Sequence, residues 1–165
     1  MTEYDGDNKS SYYLVLDTQN GTQLDDDQAN FTWNLDRALP QGSKVCLYQF
    51  NFTTSSATGF SSTAINGVLI ESRQIGNKFK SYVSKSSAKP VQTCILGCIP
   101  NETIFNADGT ERIKGSCEPY NLVDIQLPEH QEIYELELRL KDPDGNTDLS
   151  LNDDLDWGVV LKITP

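Results

Sequence analysis

Between Ile133 and Lys141 the chain reads IYELELRLK. Ile133, Leu136, Leu138 and Leu140 fall mostly at every second position, with Glu135, Glu137, Arg139 and Lys141 between them. Period two buries one face and leaves the other wet, the pattern of an antiparallel strand on a core. The same device predicts strands at Tyr12–Asp17, at Phe31–Leu35 with Phe31, Trp33 and Leu35 on one face, and at Lys44–Thr53. In the last of these, Cys46, Tyr48, Phe50 and Phe52 form the stronger core face, against Val45, Leu47, Gln49 and Asn51. Further strands are expected at Gly67–Ser72, Val91–Ile99, Tyr120–Gln126 and Trp157–Thr164. Turn chemistry bounds them: ALPQGS, Pro100, Asp108-Gly109 and the DPDGN that follows Lys141. Helical periodicity is absent.

Eight strands in a chain of 165 residues suit a single all-β domain, a jelly-roll sandwich of two antiparallel four-stranded sheets. Connections that alternate between tight and long favour Greek-key crossings over an up-and-down barrel. Residues 1–10 read as a flexible arm and residues 11–165 as the domain. Trp33, Phe50, Phe52, Leu138 and Trp157 are expected between the sheets.

Charge narrows the partners. Twenty-four acids against 13 bases give a formal charge of −11. Such a surface repels phosphate backbones and anionic headgroups, so neither nucleic acid nor membrane is expected as a partner. No apolar run is long enough to span a bilayer, and MTEYDGDNKSS is too acidic and polar for a signal peptide. Classical export is therefore not expected. Cys46, Cys94, Cys98 and Cys117 then read as reduced core thiols, with a disulfide as second reading and a metal as third, since no C-x-x-C pair occurs.

Catalytic furniture is sparse. His130, the only histidine, sits in the polar turn LPEHQE without a G-x-S-x-G elbow, and reads as an exposed loop residue. Neither a P-loop nor H-E-x-x-H occurs. No cofactor is expected and no enzyme activity. The sharpest candidate site is the loop carrying Asp142, Asp144, Asn146 and Asp148, whose oxygens alternate as in the first half of a calcium loop. Its glycine stands at the fourth position instead of the sixth, and Asp153 replaces the bidentate Glu. A hairpin turn is the favoured reading and a cation site the alternative. The runs Asp25-Asp26-Asp27 and Asp153-Asp154-Leu155-Asp156 read as solvated loops, or as partners for Lys78, Lys80, Lys85 and Lys89 of a neighbouring subunit. The sequons at Asn20, Asn30, Asn51 and Asn101 read as accidents of composition.

The order YYLVLDTQNG, FTWNLDRALPQGSKVCLYQFNF, VQTCILGCIP, YNLVDIQLPEHQEIYELELRLKDPDGN and WGVVLKITP resembles a known layout. It is similar to that of the penton-like, single jelly-roll minor capsid proteins of Polinton/Maverick-type elements, adintoviruses and virophages. GVLIESRQIGNKF matches the family's mid-chain stretch only in part, and the chain is too short for the receptor-facing domain some relatives carry. The resemblance implies a non-enzymatic viral structural protein, a homopentamer at icosahedral vertices beside a double jelly-roll major capsid protein. It also implies a virion location, in a capsid assembled inside the host cell. The alternative is a jelly-roll binding module, a lectin or a TNF/C1q-like ligand-binding domain, using loops at one end of the sandwich.

Overall fold

The structure, a computed structural model, describes residues 10–26, 28–54, 60, 67–75, 94–108, 110–118, 124–141, 151 and 155–165. The strands are β1 (Tyr12–Asp17), β2 (Thr22–Gln23), β3 (Asn30–Leu39), β4 (Lys44–Thr54) and β5 (Gly67–Ser72). They continue as β6 (Cys94–Pro100), β7 (Lys114–Cys117), β8 (Ile125–Gln126), β9 (Ile133–Lys141) and β10 (Leu155–Thr164). One sheet runs β1-β10-β4-β7, with β8 also on β4; the other runs β2-β3-β9-β5-β6. Every pairing is antiparallel.

The chain is thus all-β with two antiparallel sheets. Among the described residues there are ten strands instead of the expected eight, and five in each sheet instead of four. The two additions, β2 and β7, are short pieces (TQ and KGSC) with no periodicity to announce them. A single helical turn, α1 (Asn101–Ile104), was not expected either. Pro100 supplies its N-cap at φ −70°, and the Phe105 amide closes the turn on the Asn101 carbonyl at 2.9 Å. Of the arm expected over residues 1–10, only Ser10 is described.

Alternation fails in β4 for an identifiable reason. Gln49 lies opposite Val160 and Leu47 opposite Leu161, so Tyr48 is an extra residue, a β-bulge against β10. A bulge reverses which parity points inward. Val45 and Leu47 are buried before it, Phe50 and Phe52 after it. The expected core face of Cys46, Tyr48, Phe50 and Phe52 is therefore corrected: only its second half belongs to the core cluster, and Tyr48 packs on Tyr13 with ring centroids 5.0 Å apart.

The core between the sheets is centred on aromatics. Phe31 and Trp33 from β3 meet Trp157 from β10 edge-on, each at 5.8 Å, and Phe50 flanks Trp157 at 6.4 Å. Trp33, Phe50, Phe52, Leu138 and Trp157 are all buried. The indole N–H groups are satisfied: Trp33 donates to the Asp17 carbonyl and Trp157 to the Gln28 carbonyl, both at 2.8 Å. A buried indole without such a partner would forfeit part of what its apolar area contributes.

Candidate interaction site

The outward faces of the two sheets differ in chemistry. On the β3 sheet the outer side chains of β5 and β9 form a charge network. Lys141 Nζ lies 3.1 Å from Glu71 Oε2, and Arg139 Nε lies 2.8 Å from Glu137 Oε1, which Arg73 also approaches at 3.5 Å. Thr32 Oγ1 donates to Glu135 at 2.8 Å, and the Glu137 amide donates to Gln74 Oε1 at 2.9 Å. These groups satisfy one another, as side chains with little access to water must.

The β1 sheet is different. Six large apolar side chains are exposed among the described residues, and three of them, Tyr12, Tyr13 and Val15, stand on β1. Two hollows flank that strand. One, of about 560 Å³, opens between β1 and β3 and is lined by Tyr12, Leu14, Leu16, Trp33, Arg37 and Leu39 among others. The other, of about 330 Å³, lies over Gly158 and includes Asp17, Asn51, Asp156 and Val15. A Cβ on Gly158 would stand 2.7 Å from the Leu16 carbonyl, so the glycine lets β1 dock closely on β10. Asp156 is already engaged, accepting from Thr18 Oγ1 and Gln19 Nε2, each at 3.2 Å.

The sequence singled out other residues. His130 is exposed in a turn. Asp142, Asp144, Asn146 and Asp148 lie outside the described residues, as do Asp27, Asp153, Asp154 and the four lysines Lys78, Lys80, Lys85 and Lys89. Among the described residues no three His, Cys, Asp or Glu side chains converge on a metal position. Asn30 is buried within β3, where no glycan fits. Sequence reasoning passed over β1 as a surface. The signal was present: YYLVLD is apolar at five successive positions, so neither face of the strand is polar.

Cys46, Cys98 and Cys117 are free thiols. Burial pushes all three above the ordinary cysteine range; Asp124 adds to the rise at Cys46 while Lys162 opposes it. A raised thiol holds little thiolate at neutral pH and reacts slowly. Iodoacetamide at pH 7.5 is expected to label Cys46, which is 5% exposed, at least tenfold slower in the native protein than in urea. Peptide mass spectrometry reads this directly, and equal rates in the two states would place Cys46 on an open surface.

No family model matches the chain, and no curated protein is significantly similar to it.

Proposed function

We propose that this chain is a jelly-roll assembly subunit, a penton-like minor capsid protein that forms a homopentamer at icosahedral vertices beside a double jelly-roll major capsid protein. The observation that carries the reading is the nesting of the strand pairs. With β2 and β7 set aside, the two that the period-two pattern does not predict, eight strands remain, the two-residue β8 among them. The first pairs with the last (β1 with β10), the second with the seventh (β3 with β9), the third with the sixth (β4 with β8) and the fourth with the fifth (β5 with β6). One long hairpin rolled into a sandwich has this nesting, which supports the jelly-roll reading. The strand layout that resembles the penton-like family supports the step from fold to role.

Light scattering after size exclusion, followed by electron microscopy of the chain co-expressed with a double jelly-roll major capsid protein, tests the proposal. The expected result is a five-fold ring, in solution or at the particle vertices. A monomer at every concentration, together with particles lacking the chain, overturns it. A second reading, a binding module for a small polar ligand, draws on the hollow over Gly158 with its carboxylate and amide rim. Retention on immobilised sugars by a protein that stays monomeric would favour it.

A further inference from the structure

β1 is an edge strand, paired with β10 on one side and, among the described residues, with no strand on the other. Natural edges are blunted by charge, proline or brevity. The other outer strands follow that rule: β2 has two residues, β7 is short and carries Lys114, and β6 ends in Pro100 with Ile95, Leu96 and Ile99 buried or half-buried. β1 does not. From Ser10 to Leu16 it bears no charge, and Tyr12, Tyr13 and Val15 are 38%, 54% and 66% exposed. The N–H and C=O groups along the open side of an edge strand can be matched in a row by another extended backbone.

We infer that β1 is a self-association edge, adding antiparallel to β1 of a second copy across a two-fold axis. A two-fold contact needs a patch complementary to itself, and Tyr12–Leu16 meets that requirement. For the two joined sheets to keep their inner faces on one side, facing residues must share parity. The register that meets this condition with apolar residues alone places Leu14 opposite the partner's Leu14, Tyr12 opposite the partner's Leu16, and Tyr13 opposite the partner's Val15. Asp17 then falls beyond the apolar pairs, opposite the partner's Ser11, so no like charges face each other. Tyr13 and Val15 would cover each other on the outer face, while Tyr12 and Leu16 would close the hollow between β1 and β3. A contact of one strand is small, so it forms only at high protein concentration. The inference does not rest on the pentameric ring: a ring joins two different patches, whereas this contact joins one patch to itself.

Two single variants, Tyr13→Cys and Val15→Cys, test it. Directly opposed residues on antiparallel strands have Cα atoms about 4.5–5.5 Å apart, within disulfide reach. Under mild oxidation with diamide, an equimolar mixture of the two variants is expected to give a disulfide that joins position 13 of one chain to position 15 of the other. Peptide mass spectrometry identifies that cross-link. Either variant alone is expected to give at least tenfold less. With no cysteine introduced, Val15→Lys should abolish the concentration-dependent rise in mass while leaving the melting temperature within about 2 °C. No cross-link in the mixture, or a mass series unchanged by Val15→Lys, overturns the inference. A five-fold mass without the mixed cross-link would leave the ring standing and remove this contact. A dimer mass with the cross-link, for a chain missing from the particle vertices, would do the reverse.

Discussion

Leu138→Asp is expected to lower the stability of the fold by about 3–5 kcal/mol at pH 7, enough to unfold much of a marginal domain. Leu138 is 0% exposed in the middle of β9, opposite Phe31 on one side and Ser72 on the other. Truncation alone, as in Leu138→Ala, costs about 2–4 kcal/mol through lost burial and the cavity left behind. The aspartate adds an unpaired carboxylate in an apolar site, which raises its folded-state pKa above the unfolded value. The variant's deficit is therefore smallest below the ordinary carboxylate range and grows as pH rises through it. Urea denaturation at pH 4 and pH 7 reads both effects, with an unchanged m-value confirming that only stability moved. Tyr134→Asp on the same strand is the control. Tyr134 is 58% exposed, and its substitution should cost within about 0.5 kcal/mol. A Leu138→Asp midpoint equal to that control would mean β9 presents its other face to the core.

β9 was legible because its alternation meets no bulge of its own. Even its one break in period, the three-residue step from Ile133 to Leu136, has a partner on β3. There the register shifts from Asn34 opposite Glu135 to Leu39 opposite Ile133, an irregularity that falls within β3. β4 was not fully legible, because one inserted residue, Tyr48, exchanges the two faces, and that insertion is defined only by the register of β10. β2 and β7 escaped for a different reason: two to four residues cannot display a period, and their strand character comes from what they lie against. The strand pairing itself was legible only as a class. Tyr12–Asp17 and Leu155–Thr164 stand at opposite ends of the chain, and their union is a tertiary event that local pattern does not encode. The exposed edge was written in YYLVLD yet read simply as a strand. Apolar residues on both faces mean either a fully covered strand or an uncovered one, and only the neighbours decide between the two.

Lys141→Met is expected to cost about 3 kcal/mol, although the residue lies on the outward face of its sheet and an outer lysine ordinarily costs almost nothing to replace. The difference lies in Glu71. Its side chain is 4% exposed, and the Lys141 ammonium sits 3.1 Å from its Oε2. Arg139 stands opposite Glu71 in register, but its Nε is held by Glu137 at 2.8 Å. Removing Lys141 thus leaves a carboxylate with little access to water, and the cation opposite it in register, Arg139, is already engaged. The reverse change, Glu71→Leu, should cost less, about 1 kcal/mol, because the longer lysine, at 19% side-chain exposure, can carry its charge outward to solvent. The double variant should return to within about 1 kcal/mol of the parent, since an apolar pair of similar shape removes both desolvation costs. That asymmetry separates a buried charge from a surface ion pair, in which both single changes would be equally mild. A double-mutant cycle by urea denaturation measures it. If Lys141→Met proved neutral, Glu71 would be wetter than its burial implies, and the outward face of the β3 sheet would be an ordinary solvated surface with no interlocked charge network at all.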